Sequence, residues 1–326
     1  MFNNKIAYIV PYFGKLPNYF QCWLESCKHN STIDWLIFTD DTTNYIYPAN
    51  VRVNYTSFDE IKELINRKID CKTQLLAPYK LCDFKVAYGV IFEDYLLEYG
   101  FWGYCDVDLI FGNIRKFITD DILKEYDMIG FQGHSTLFRN DRMVNERFKL
   151  PLTTEKGIHE AIFIDQKNCY FDEHGIIDIY KKYGFSYFKE VVFANINPMY
   201  YNFQLTHMDK DGKLLNQHRI FTWENGTLLS HSVLNGRIYD TEFMYVHFLR
   251  RPMEVAKDCD PTTNNYLIIP NQIKPLAEMV DESDIIRYSK NRMWKYWVRI
   301  VKTKWRKITP RNIYIFFKVR FTSRNI

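Results

Sequence analysis

Two aspartates one residue apart, Asp106 and Asp108, interrupt the apolar run Phe101-Trp-Gly-Tyr-Cys-Asp-Val-Asp-Leu-Ile-Phe-Gly-Asn113. In extended backbone, residues two apart share a face, so this spacing predicts that both carboxylates converge on one point. Carboxylates held together repel, and burying them is unfavourable unless a cation compensates. A divalent metal answers that need, because Mg²⁺ and Mn²⁺ favour one or two carboxylates plus phosphate oxygens. The expectation is metal-assisted chemistry on a phosphate-bearing substrate. The alternative, a pair of solvated turn residues, normally comes with polar neighbours. Here the flanks are Phe101, Trp102, Tyr104 and Cys105 on one side and Leu109, Ile110 and Phe111 on the other.

The elements that must position this pair follow from apolar patterning. Lys5 to Phe13 reads as a short buried strand that stops at Pro11, and Leu16 to Lys28 has a helical apolar period. Asp34 to Asp41 is a second buried strand ending in two acids, and Val51–Tyr55 a third. Phe58 to Ile69 is a charged amphipathic helix, and Leu81 to Glu98 a further helix leading into the Asp-x-Asp strand. Met128 to Phe131 adds another strand. Strands alternating with helices predict an open, largely parallel α/β sheet, whose ligands bind at the carboxyl ends of the strands. Pro11 to Gly14, Asp40-Asp41 and Asp106-x-Asp108 all fall at such ends. The second half is less regular, with a helix over Ile176–Tyr183 and strands at Leu228–Val233 and Phe243–Phe248.

Composition narrows the class. Hydrophobic residues make up 47% of 326, enough for a real core, and the chain opens without the pattern of a secretory signal. Seven scattered cysteines without metal-ligand spacing read as reduced thiols in a cytosolic protein. No apolar run approaches the ~20 residues that span a bilayer. Charge is uneven. From Arg287 to the end there are thirteen Lys and Arg and no acid, which leaves thirty basic against thirty-nine acidic residues upstream. The expected division is a catalytic domain over 1–284 and a basic aromatic tail over 285–326.

In its order of motifs the chain resembles a GT-A-type glycosyltransferase, over roughly residues 5–250. The phrases Val10-Pro-Tyr-Phe-Gly-Lys15, Tyr79-Lys-Leu-Cys-Asp-Phe-Lys85, Trp102 to Asn113 and Thr136-Leu-Phe-Arg-Asn140 look closest to a bacterial family associated with capsule and surface-polysaccharide synthesis. The resemblance implies a Rossmann-type nucleotide-diphospho-sugar transferase fold. It also implies Mn²⁺ or Mg²⁺ at Asp106 and Asp108, a UDP-sugar donor, and a glycan or lipid-linked glycan acceptor. It makes Asp83 and Lys85, with Lys80 nearby, contacts of the donor; a solvated helix face is the alternative for the two lysines. By the same resemblance His247, in Tyr245-Val-His-Phe-Leu-Arg-Arg-Pro252, becomes a third metal ligand, although Arg250 stands where the related motif has Gly. A structural histidine is the alternative. Arg250 and Arg251 would hold the diphosphate by bidentate hydrogen bonds. Pro11, Tyr12 and Phe13 would meet the nucleobase and diphosphate, and Asp40 and Asp41 the uracil or ribose edge. Asp172 and Glu173 would be the catalytic carboxylates, or else caps of the helix that follows them.

The tail places Trp294, Trp297 and Trp305 among Lys and Arg at near-helical spacing, broken at Pro310. A basic amphipathic helix of this kind suits an anionic membrane surface, so the expected location is cytoplasmic and peripheral on the inner face of the cell membrane. The alternative packs the tryptophans on the body. No nucleic-acid motif accompanies the acidic body, which excludes that partner class. Two rival functions remain. A sugar-phosphate nucleotidyltransferase would need a Gly-rich N-terminal nucleotide loop, which Val10 to Lys15 is not. A catalytically silent sugar-binding or scaffold protein has no need of both aspartates.

Overall fold

The computed structural model describes residues 2–153, 157–206, 218–249, 251–290 and 294. The apolar segments expected to be buried strands do assemble side by side. β1 (Ile6–Tyr12), β2 (Ile33–Thr39), β3 (Val51–Tyr55) and β4 (Phe101–Cys105) form a parallel array in the order β3-β2-β1-β4. After a bend comes β5 (Leu109–Phe111), followed by β6 (Met128–Ile129) and β7 (Ser135–Arg139). β7 joins β4 antiparallel and β6 closes that edge, giving a mixed six-stranded sheet. Near-continuous burial along β1, β2 and β4 explains why they read as uninterrupted apolar runs. β1 passes through Pro11 instead of stopping there. Its pairing with β4 has already ended at Ile9, while its register with β2 continues to Tyr12.

Helix α1 (Phe20–Lys28) buries Phe20, Trp23, Leu24 and Cys27 at helical spacing. It begins four residues later than its apolar period suggests, because the Leu16 N–H donates to Asp41 and the preceding loop is held outside the helix. Helix α2 (Phe58–Lys68) starts at a reciprocal capping box between Ser57 and Glu60. The helix expected over Leu81 to Glu98 is instead a chain of short turns, with α-helical pieces only at Leu81–Phe84 and Tyr88–Ile91. Tertiary contact dictates its path: Gly89 lies so close to the Trp102 indole that a Cβ would fall 2.4 Å from the ring.

The second half builds sheets that its sequence only partly announces. β12 (Tyr245–His247) lies between β5, antiparallel, and β8 (Ala194–Asn195), parallel, in a small three-stranded sheet. A second six-stranded sheet, ordered β11-β10-β9-β14-β15-β13, comprises β9 (His218–Glu224), β10 (Thr227–Leu234), β11 (Arg237–Glu242), β13 (Glu254–Val255), β14 (Asn265–Ile269) and β15 (Gln272–Pro275). Two Asn-Gly turns, Asn225-Gly226 and Asn235-Gly236, link β9 to β10 and β10 to β11 with positive φ at all four residues. That is the dipeptide signature of a tight hairpin. One core cluster runs from Ile6 and Tyr8 through Phe111 and Tyr245 to Tyr266 and Ile273, so all three sheets share it.

The boundary expected after residue 284 falls inside the helix Glu282–Tyr288, whose Ile285 packs with Ile220, Leu267 and Ile269 of the second sheet. The tail reading lies almost wholly outside the described residues; of its tryptophans only Trp294 is described, and it is 67% exposed. Among the described residues no helix is long and apolar enough to cross a membrane.

The strand that delivers the aspartates tolerates no side chain at Gly103, where a Cβ would lie 2.3 Å from the Thr136 carbonyl oxygen. Gly103→Ala should therefore lower unfolding stability by about 1–3 kcal/mol in a denaturant titration.

Candidate metal centre and cleft

β4 ends at Cys105 and β5 begins at Leu109, so Asp106, Val107 and Asp108 form the bend between them. The two carboxylates therefore converge through a bend, not through the pleat of one extended strand. Backbone bonds fix it from both sides: the Asp106 N–H donates to the His134 carbonyl at 2.9 Å and the Phe248 N–H to the Asp108 carbonyl at 2.9 Å. Antiparallel pairing of β12 with β5 sets His247 opposite Leu109. His247 Nε2 consequently lies 3.3 Å from Asp108 Oδ1 and 4.0 Å from Asp106 Oδ2. One ligand atom from each of the three residues falls within 4.8 Å of the other two.

The donor set fits a divalent cation. His247 Nδ1 is 3.0 Å from the Asn195 side-chain oxygen, which orients that nitrogen as donor and turns Nε2 toward the carboxylates. Burial lowers the proton affinity of His247, but the charges of Asp108 and Asp106 outweigh it and raise the net value. Two carboxylate oxygens and one imidazole nitrogen suit Mn²⁺ or Mg²⁺, with room left for substrate oxygens.

Around this centre opens a cleft of about 1270 Å³. Pro11, Tyr12 and Phe13 line it from the end of β1, together with Lys85, Asp172 and Glu173; His247 and Arg251 close it. Lys85 is the hub. Its ammonium donates to Asp106 Oδ1 at 2.7 Å and to the Gly133 carbonyl at 2.8 Å, and pairs with Asp172 at 3.1 Å. Burial opposes its charge, yet Asp106 and Asp172 hold its proton affinity well above the ordinary lysine value. Asp172 belongs to a π-helical turn, Phe171–Gly175, that runs directly into helix Ile176–Tyr183. The carboxylates on this turn thus do not cap that helix. Burial pushes the Asp172 carboxyl up to about 7, against the lowering pull of Lys85. Gly133, with φ +70, lets the neighbouring loop approach: a Cβ there would meet Glu173 and Asp172.

Several residues expected in the site do other work. Asp83 is fully buried and accepts from the backbone N–H groups of Cys169 and Phe171 at 2.9 and 3.0 Å, with Lys80 paired to it at 2.7 Å. Lys80 also donates to the Ile162 and Lys167 carbonyls. Neither residue lines the cleft; they clamp the 162–171 segment instead. Asp41 accepts from Leu16 and Thr43, and Asp40 from the Gly14 N–H at 2.7 Å, so both hold the loop after β1, and neither is among the residues that line the cleft. Burial of Asp41 is outweighed by these bonds and by Lys15, which keep it far below the usual carboxylate range. Arg251 lines the cleft and directs its guanidinium to the carbonyls of Tyr200 and Tyr201, at 2.7 and 2.5 Å. Arg250 lies outside the described residues.

Sequence reading missed a supporting network. His134 Nδ1 meets the Tyr245 hydroxyl at 2.9 Å, its Nε2 meets Gln132, and Gln132 accepts from Asn195, which orients His247. The His134 ring packs 4.5 Å from that of His247. The only local signal was polar residues, Gln132 and His134, beside the turn-forming Gly133.

Residues 8–277 match a family model described as "Family of unknown function (DUF6625)". The chain belongs to that family. The match spans β1 to β15 and so covers every element of this DUF6625 chain that contributes to the cleft. No curated protein matches it.

Two outcomes test these assignments. Asp83→Ala leaves Lys80 buried without its partner and should cost about 3–5 kcal/mol in equilibrium unfolding. The second concerns Asp172. Between about pH 4, where an unfolded aspartate titrates, and about 7, the folded carboxyl holds a proton that the unfolded chain releases. Rising pH through that window therefore weakens the fold through this group. Unfolding measured across it should show Asp172→Asn gaining stability relative to wild type as pH rises.

Proposed function

We propose that this DUF6625 protein is a metal-dependent glycosyltransferase that moves a sugar from a UDP-sugar to a hydroxyl of a surface-polysaccharide or lipid-linked glycan. The observation that carries the reading is the convergence of Asp106, Asp108 and His247 in a cleft that also holds a buried lysine and a second pair of carboxylates. A bound Mn²⁺ or Mg²⁺ would supply positive charge for a departing diphosphate. The mixed α/β sheet, with its cleft beyond the ends of β1 and β4, is compatible with the GT-A resemblance.

In the reaction, the bond between the sugar's anomeric carbon and the diphosphate breaks, a bond to the acceptor oxygen forms, and the acceptor hydroxyl gives up its proton. Lys85 holds Asp106 and Asp172 in fixed positions and adds a cation beside the leaving group. Asp172, whose proton affinity is lifted toward neutrality by burial, suits the task of taking that proton. Glu173, adjacent and also lining the cleft, offers a second carboxylate at the same place. Asn195, Gln132, His134 and Tyr245 keep His247 aimed at the carboxylates. The thirteen unopposed positive charges of the tail support a tether to anionic lipid, which would keep the enzyme beside its acceptor.

Calorimetric titration with UDP, in the presence and absence of Mn²⁺, tests the reading. Binding should require the metal and disappear in Asp106→Ala/Asp108→Ala. Equal UDP affinity in wild type and the double variant would refute the centre as a donor site.

A further inference from the structure

Tyr19 ends the loop that follows β1 and caps the start of α1, where its carbonyl accepts from the Cys22 and Trp23 N–H groups at 2.9 and 3.2 Å. The loop before it is braced by the Asp40 and Asp41 carboxylates, through the Gly14 and Leu16 N–H groups. The residue is buried, 4% exposed, and its ring stands edge-on to Phe248 with centroids 5.7 Å apart. Phe248 follows His247 and donates its N–H to the Asp108 carbonyl, so the phenol is fixed against the backbone that closes the metal centre. Tyr19 also lines the cleft. Burial, and after it the charge of Asp108, raises the proton affinity of its hydroxyl, which therefore lies within range of that carboxylate.

What sets Tyr19 apart is an unused proton. Tyr12, Tyr88 and Tyr104 also line the cleft, and each spends its hydroxyl on a backbone carbonyl, of Lys15, Leu81 and Asp172 respectively, at 3.3 Å. Among the described residues the Tyr19 hydroxyl has no hydrogen-bond partner. In a residue this buried, only water or a molecule that enters the cleft can satisfy it. We propose that the Tyr19 hydroxyl donates to a phosphate oxygen of a nucleoside diphosphate held at the centre formed by Asp106, Asp108 and His247. This rests on the transferase reading and adds a residue to its donor site. Phosphate is the acceptor that suits the neighbourhood, because its oxygens are the usual partners of a divalent cation bound by aspartates. An O–H donated to an anionic oxygen is also among the stronger hydrogen bonds. A cationic side chain in this place would compete with the metal for Asp108; a phenol binds phosphate without doing so.

Calorimetric titrations of the full chain and its Tyr19→Phe variant test this, with Mn²⁺ alone, UDP plus Mn²⁺, and preformed Mn²⁺–pyrophosphate as probes. The phenylalanine keeps a ring against Phe248 and removes only the hydroxyl. UDP and pyrophosphate should both bind about tenfold or more weakly to the variant, while Mn²⁺ alone binds as it does to wild type. The melting temperature should not fall, which separates lost binding from lost fold. Equal UDP affinity in variant and wild type overturns the assignment. A loss confined to UDP, with pyrophosphate unchanged, would put the hydroxyl on the nucleoside and also overturns it. Weaker binding of Mn²⁺ alone would make Tyr19 a support of the metal centre, with the same consequence. Wild type that binds neither UDP nor pyrophosphate overturns both this contact and the transferase reading. Tyr19-dependent pyrophosphate binding by a chain with no preference for UDP would sink the UDP-sugar reading and keep the phosphate contact.

Discussion

Carboxylates in a low-dielectric interior must each find a cation or a set of N–H donors, and this constraint organises the molecule around two buried lysines. Lys85 faces the cleft and holds Asp106 and Asp172 together; Lys80, one turn earlier, faces away and anchors Asp83. Both come from the segment of broken turns after Pro78. A regular helix would carry its lysines at 100° per residue along a straight axis. The interrupted path lets one ammonium reach the Asp106 carboxylate while the other fastens the loop that supplies Asp172. The two pairs are mechanically linked, because Asp83 grips the N–H of Phe171, the residue before Asp172. The geometry of the acid in the cleft is thus set from behind by a pair that never touches the cleft.

The same logic explains why a π-helical turn carries Asp172. Such turns are rare and occur mainly at functional sites, because an extra residue in the turn rotates side chains off the helical face. Here the rotation puts Asp172 beside Lys85, with Glu173 against the loop at Gly133. Tyr170 bears the local strain. A strained residue, an irregular turn and a buried acid in immediate succession form one unit, held by Asp83 below and packed on Phe163 through Phe171.

The first sheet was legible because β1, β2 and β4 are buried along nearly their whole length; the mostly exposed edge strand Val51–Tyr55 and the helix Ile176–Tyr183 also match the expected bounds. The aspartate pair was legible for a related reason, since charged residues within an apolar run have few solvated explanations. The second sheet was largely illegible from apolar patterning. Its outer strand, Arg237–Glu242, is almost wholly exposed and polar, so it carries no core period. Its hairpin chemistry was nevertheless written out, twice, as Asn-Gly at 225–226 and 235–236. Turn residues would have found what hydrophobicity did not.

The site residues sort by a criterion that the sequence does not contain: what satisfies each carboxylate's oxygens. Asp40 and Asp41 stand at a strand end where α/β sheets bind ligands, and Asp83 sits two residues before Lys85, so position alone favoured all three. Yet Asp40 accepts from Gly14, Asp41 from Leu16 and Thr43, and Asp83 from Cys169 and Phe171, all through backbone N–H groups of this chain. A carboxylate engaged in this way shapes loops. Asp106 and Asp172 meet the Lys85 ammonium, and Asp108 meets an imidazole that Asn195 has already oriented. Those partners are themselves charged or able to bind metal, so they leave a site whose electrostatics respond to what enters the cleft. Lys15 and Lys80 pair with Asp41 and Asp83 as Lys85 pairs with Asp106 and Asp172. What separates the groups is the added hold that Asp40, Asp41 and Asp83 have on backbone N–H groups, away from the cleft lining.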